Sequence, residues 1–459
     1  MSDRATQTVN NPSHADIPVN PFTPYPNVSS YLLGDWRHSA QGKLTDNTFD
    51  QLVRKVLLND RFNIDEIRDT NWHKVDDSLS DNDQHHGRLR RDAWIKTGVS
   101  ISVPPAAKGE RPKEYIVNGL LYRRLVDVIR SICEGPMSKL YHWVPYYLYW
   151  QPPDPTASKV PVYSEIYHSE AMMKEHIALQ QSPPEGDCQL PRSIVACMAW
   201  SDSTHLTDFG DASLWPFYLM FGNQSMYTRE RPSSHACHHI AYIPKVIVTT
   251  CFQRNINSQA SNAVLTHCRR ELMHAIWRLL LDKDFVHAYK HGIVVLCSDG
   301  IWRRLYPRFF TYSADYPEKV LLVTIRDMGA CPCPRCLVPK TLFPETGTKR
   351  DLRRRTHLKH VDDHLRKDKV QRARQLIYEK GYNVKSAAVE GIIKGESLVP
   401  TINAFSERLG EFDGFDLFTM MVVDLMHEIE LGTWKDMLMH LIRILHVVKQ
   451  GKIDEFNQR

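Results

Sequence analysis

Cysteine is scarce, with ten in 459 residues, far below the density of a disulfide-stapled secreted scaffold. Seven stand singly, at Cys133, Cys188, Cys197, Cys237, Cys251, Cys268 and Cys297, mostly inside apolar stretches. They read as buried reduced thiols of a nuclear or cytosolic protein. Long apolar runs are missing as well: none approaches the roughly 20 residues of a membrane span, and Met1-Ser2-Asp3-Arg4 leads into no signal-peptide core. A secreted or membrane class is therefore not expected. Nor does one sign of charge dominate, since 58 Lys and Arg against 53 Asp and Glu leave a net charge of +5. That balance selects no partner. No internal repeat is evident, which sets solenoids aside.

What is present is the composition of an ordinary globular protein, 42% hydrophobic and 24% charged, with length for roughly three domains of about 150 residues or, equally, one large fold with insertions. Pro12, Pro18, Pro21, Pro24 and Pro26 among Asn, Thr and Ser predict a disordered leader over 1–28. Residues 29–185 read as an N-terminal α+β region. Phe49, Leu52, Val53, Val56 and Leu57 recur at helical spacing, and a short helical stretch follows over 64–72. After a polar linker over 75–92, strands are predicted at 94–103 and 114–122 and a helix at 122–132. The aromatic run 141–150, interrupted by Pro145, reads as packed core, with a base-stacking platform as the alternative.

Residues 186–330 carry the most informative order of elements. A buried strand at 193–200 ends before Asp202, strands follow at 214–221 and 235–243, then a helix over 261–287, then a buried strand at 292–297 that ends before Asp299. Residues 308–327, strongly apolar over 320–325, are predicted to supply a fifth strand. Strand, strand, strand, helix, strand is the order of a ribonuclease H-like mixed sheet, so the fold class is α+β or α/β with such a core. In that fold the first and fourth strands are neighbours, which would bring Asp202 and Asp299 together as hard oxygen ligands for Mg2+ or Mn2+. Such a pair points to phosphoryl transfer on nucleic acid. The plainer alternative is that each Asp is a turn residue or helix cap. Asp208, Asp211 and Asp315 are read as loop residues.

Residues 331–400 form a Cys-rich turn and a basic insertion. Cys331, Cys333 and Cys336 crowd together, and Cys333-x-x-Cys336 has the spacing of half a zinc site, with His357, His360 or His364 nearest to complete it. A redox pair or free thiols are the alternatives. Residues 349–380 hold twelve Lys or Arg against five Asp or Glu, either a solvated helix face or a phosphate-binding surface. In the helical segment 401–459, Asp424 and His427 stand at i and i+3, where metal ligands or a hydrogen-bonded pair would share a face.

Several of these motifs occur in one order: Tyr122-Arg-Arg-Leu-Val-Asp-Val-Ile129, Asp202-Ser-Thr-His-Leu-Thr207, Arg231-Pro-Ser-Ser-His-Ala236, Ser298-Asp-Gly-Ile-Trp-Arg303, Cys333-Pro-Arg-Cys336, Asn403-Ala-Phe-Ser-Glu-Arg408 and Val423-Asp-Leu-Met-His-Glu428. Together they resemble a Plavaka-type transposase, related to the CACTA group, over about residues 30–450. The resemblance implies a nuclear cut-and-paste DNA transposase with an Asp-Asp-Glu site, acting on terminal inverted repeats and able to self-associate. It implies Asp202 as the first acid, Asp299 as the second, Asp424 and His427 as the Asp-x-x-His signature with Asp424 as a reserve acid, and Cys333 with Cys336 as a zinc pair. The third acid of such enzymes, a Glu, is expected to be missing here. A catalytically dead DNA-binding or scaffold protein is accordingly the alternative.

Overall fold

The computed structural model describes residues 20–39, 46–72, 74–75, 94–105, 107–205, 213–244, 262–448 and 451–457. Most of the expected leader (1–19), nearly all of the linker (76–92) and the loop acids Asp208 and Asp211 lie outside the described residues. The chain divides into two compact units, Met1–Ala93 and Trp94–Arg459. Among the described residues no helix is long and apolar enough to cross a membrane.

In the first unit, α1 (Val28–Ser39) is followed by α2 (Asp46–Gln51), which runs into a wide π-type segment, Leu52–Leu57, and then a 3-10 turn, Ile64–Ile67. Side-chain bonds hold these pieces together: Ser29 Oγ donates to Glu66 at 2.9 Å, and the Ser30 and Thr70 hydroxyls pair at 2.8 Å. The helical spacing of Phe49 to Leu57 is thus realised as a regular α-turn followed by a wider π-type part that buries Val56.

The second unit is built on a mixed sheet. Its strands are β1 (Ile95–Val103), β2 (Lys113–Tyr122), β5 (Arg192–Ser201), β7 (Ser213–Phe221), β8 (His238–Ile243), β9 (Ile293–Leu296) and β10 (Trp302–Ser313), in the order β1-β2-β8-β7-β5-β10-β9. The short β6 (Thr204–His205) pairs with β7. All neighbours run antiparallel except β5 and β10, which are parallel. A separate hairpin, β3 (Leu148–Trp150) with β4 (Val160–Val162), exposes Tyr149 and Trp150. Only the front of the aromatic run, Tyr141 and Trp143, belongs to the core.

β5 is buried on both faces, which is why its sequence is a near-continuous apolar run and not an alternating one. Val195, Cys197 and Ala199 face the main core. Ile194 and Ala196 face a smaller cluster with Met172 and Leu179 of the helix Glu170–Gln181. On the main face lies α3 (Asn262–Leu280), whose Leu265, Cys268, Leu272 and Ile276 recur every three or four residues. Its Trp277 is ringed by Phe405 at 4.4 Å, Phe217 at 4.7 Å and Tyr312 at 5.6 Å. The predicted helix over 261–287 breaks at Asp282, whose carboxylate accepts the Phe285 N–H at 2.8 Å and starts a second helix, Lys283–His291.

Two predictions fail here. The strand parallel to β5 is β10, not the shorter β9, which forms a hairpin with β10 on its far side. Of the strand expected over 308–327, residues 308–313 belong to β10, whereas the apolar run 320–325 begins inside α4 (Tyr316–Leu322). Asp315 accepts the Glu318 N–H at 2.9 Å and Pro317 fits the first turn, so this stretch carries a helix start.

Candidate active site

The register of β5 against β10 decides which acids can meet. Trp200 lies opposite Ser313, and Asp202 and Asp315 each follow two residues later, at the same end of adjacent parallel strands. Asp299 belongs to the turn between β9 and β10, at the end where Arg304 pairs with Arg192. Eight residues of extended strand separate that level from Trp200, about 26 Å at the usual rise. The expected meeting of Asp202 and Asp299 therefore does not occur. Asp299 instead accepts both guanidinium branches of Arg303, at 2.8 and 2.7 Å, and the Ile301 N–H at 3.1 Å. The Arg303 bonds hold its carboxyl below the usual range. It is a turn residue, and Asp315, read from sequence as a loop residue, takes the matching position.

Beneath Asp202 and Asp315 lies a carboxyl that sequence reasoning passed over. Glu318 is 5% exposed. It accepts from Ser201 Oγ and, at 3.0 Å, from Trp215 Nε1, while Ser201 Oγ also pairs with Tyr312 OH at 2.6 Å. Burial pushes its pKa up to about 7 against the bonds from Ser201 and Trp215, with Asp315 and Asp202 adding repulsion. The spacing Asp315-x-x-Glu318 before an apolar run was a readable cap signal.

That shift has a measurable consequence. The fold favours neutral Glu318, so its contribution to stability is full below the unfolded value of 4.5 and is lost as pH rises through about 7. The loss is on the order of 3 kcal/mol. Glu318→Gln cannot ionise, so in metal-free buffer its unfolding free energy minus that of the parent is expected to be larger at pH 8 than at pH 5. Urea melts at the two pH values read this directly.

A third segment reaches the same corner. Met421 bridges to Tyr312, and the Val422 N–H donates to the Tyr312 carbonyl at 3.1 Å, so the chain leaves alongside the end of β10. Asp424 then caps the wide π-type turn Leu425–Trp434: it accepts the His427 N–H at 3.1 Å and pairs with His427 Nδ1 at 2.9 Å. Burial pushes the Asp424 carboxyl up, but the His427 bonds outweigh it and leave the acidity strengthened. His427 is raised, first by its bond to Asp424 and further by the fields of Asp202 and Asp315. Acids from three parts of the chain thus act on one imidazole. Buried Lys319, on α4, pairs with Glu428 and anchors this turn.

The cysteine turn flanks the same corner, because Arg335 Nε donates to the Met421 carbonyl at 3.0 Å and Tyr316 OH to that of Pro332 at 3.1 Å. Cys333 is lowered to about 6, chiefly by a hydrogen bond with Cys336, whose own thiol is raised by the same bond. Cys331 does not join them; its Sγ faces the Gly395 carbonyl at 3.8 Å. His360 spends Nε2 on the Cys333 carbonyl at 3.2 Å and stacks on Phe418. A structural zinc site needs four ligands. Here only two thiols meet, and among the described residues no group of three or more His, Cys, Asp or Glu is gathered for a metal.

The basic stretch is less open than its count suggests. Its two main helices are α5 (Lys349–His357) and α6 (His364–Tyr378). Arg354, Arg355, Lys367, Lys369, Arg372 and Arg374 are each in an ion pair, and Arg366 is buried against the Val323 carbonyl and Thr324. Lys349, Arg350, Arg353, Lys359 and Lys380 are exposed and in no ion pair among the described residues.

Set beside known proteins, residues 88–442 match the family model of the Plavaka transposase. No curated protein is matched by the sequence. A match over that span, covering the sheet, the paired acids, the cysteine turn and the Asp-x-x-His segment, establishes that the chain belongs to the Plavaka transposase family.

Proposed function

We propose that this chain is a transposon-derived protein that cleaves and transfers DNA strands with a divalent metal, on a ribonuclease H-like core in which Asp202 and Asp315 are the first two acids. The observation that carries the reading is their matched position just past parallel neighbours β5 and β10. Mg2+ binds through one or two carboxylates together with waters and substrate phosphates, so two such oxygen donors suit it. An ion bound there would lower the pKa of a water or 3′-hydroxyl and stabilise the leaving oxygen. Asp202 and Asp315 would hold it, and His427, paired with Asp424 at 2.9 Å, stands at the same end of the sheet. Lys349, Arg350, Arg353, Lys359 and Lys380 would hold the phosphate backbone without reading bases. DNA carrying terminal inverted repeats, inside a nucleus, is the matching substrate.

A second reading, DNA binding without cleavage, draws support from the capping duty of two acids: Asp315 and Asp424 each spend one oxygen on a helix start. Supercoiled DNA carrying the repeats separates the two readings. The first expects nicked circles with Mg2+ or Mn2+ and none with a chelator. The second expects retained binding with no nicks under either condition. Both expect affinity to fall with salt, with a log–log slope of about −4.5 for five phosphate contacts.

A further inference from the structure

We infer that Glu318 is a positioning residue that fixes how Asp202 and Asp315 face one another. The inference rests on the reading of those two acids as a metal-holding pair. One residue touches both acid positions. Its N–H is held by the Asp315 side chain at 2.9 Å, and its carboxyl takes the hydroxyl of Ser201, the residue directly before Asp202. Its second oxygen takes Trp215 Nε1 of β7 at 3.0 Å, and Tyr312 near the end of β10 joins through Ser201 at 2.6 Å. Three strand ends and the first turn of α4 are therefore tied to one buried carboxyl. Both of its oxygens are engaged, one by Ser201 and one by Trp215, and the side chain is buried, not turned to solvent as a ligand would be.

The physical reason for such a tie is the geometry a small hard cation demands. Two carboxylates on separate strands converge on one ion only if the strand ends keep their stagger and α4 keeps its rotation about β10. The groups bonded behind metal ligands set that orientation, and their removal weakens metal binding by about 10- to 100-fold. Glutamine at 318 keeps an oxygen for Trp215 and an amide that can donate to the Ser201 hydroxyl. Alanine leaves Ser201, Trp215 and Tyr312 without their common partner.

The test is Mn2+ binding to the full chain, followed by the paramagnetic resonance signal of free Mn2+, with circular dichroism and a thermal melt on each variant. The parent is expected to bind, Glu318→Ala to bind about 10- to 100-fold more weakly, and Glu318→Gln to stay within about threefold of the parent. Should Glu318→Ala fail to fold, Ser201→Ala cuts the same tie from the β5 side and is expected to lose about tenfold. A purely structural role would lower the melting temperature and leave the affinity of the folded protein unchanged, which would overturn the inference. Glutamine binding as weakly as alanine would also overturn it, in favour of Glu318 as a direct ligand. A parent that binds no Mn2+ removes the acid pair itself and the inference with it, whereas a binding parent with an indifferent alanine variant removes the inference alone.

Discussion

Asp315→Asn is expected to abolish metal-dependent nicking, by roughly 1,000-fold or more, equivalent to about 4 kcal/mol of lost transition-state stabilisation, while Asp299→Asn leaves it within about twofold. The contrast follows from topology. Asp315 stands beside Asp202 at the shared end of two parallel strands, whereas Asp299 sits at the opposite end in a bidentate pair with Arg303. Asparagine is a helix cap as good as aspartate, so Asp315→Asn keeps the bond to the Glu318 N–H and the start of α4. Loss of nicking with an unchanged circular dichroism spectrum and melt is then a chemical effect. Asp202→Asn should match it. The reverse pattern, a silent Asp315→Asn beside an inactive Asp299→Asn, would return the second acid to the β9–β10 turn.

The largest effect on stability is expected at Glu271→Leu, about 3 to 5 kcal/mol. Glu271 on α3 is 5% exposed and accepts from Arg374 Nη1 of α6 at 2.6 Å. Arg374 also donates to the Pro400 carbonyl at 3.0 Å and lies over the Tyr378 ring. Burial alone would push Glu271 up, yet Arg374, with help from His267, brings it below the usual carboxylate range. A lowered carboxyl contributes stability above its unfolded value, and that contribution disappears on acidification through the folded value. Removing it leaves a buried guanidinium with no carboxylate. The double variant Glu271→Leu with Arg374→Leu should be less destabilised than the two single changes added together, because the pair is lost as one. Chemical denaturation of the four proteins measures this coupling. Additive effects would show that the contact contributes nothing beyond its parts.

This buried pair also shows what counting charge can and cannot do. The excess of Lys and Arg over 349–380 was legible, and so was its helical character. Which of those cations face solvent was not, since Arg374 is matched by Glu271, about a hundred residues away, and Lys369 by Glu396. The cysteine turn repeats the lesson. Spacing predicted that Cys333 and Cys336 would meet, and they do, but it could not reveal that Cys331 turns toward Gly395 and that His360 is already engaged.

The sequence by itself determined the local elements and the family. Apolar runs marked β5, β7, β8 and β9, three-and-four spacing marked α3, and the ordered motifs matched a Plavaka transposase. Those signals are short-range, because strand burial and helical periodicity are written in neighbouring residues. It also held an unread local sign, the cap at Asp315-x-x-Glu318. Only the tertiary structure decided which strand lies beside β5. A parallel pairing joins residues more than a hundred positions apart through a crossover, and no periodicity in either strand encodes its partner. β9 looked like the partner because it is uniformly apolar; β10, carrying Arg303, Arg304, Pro307 and Arg308, is the partner because its length and register match those of β5. That choice of neighbour moved the position matching Asp202 from Asp299 to Asp315.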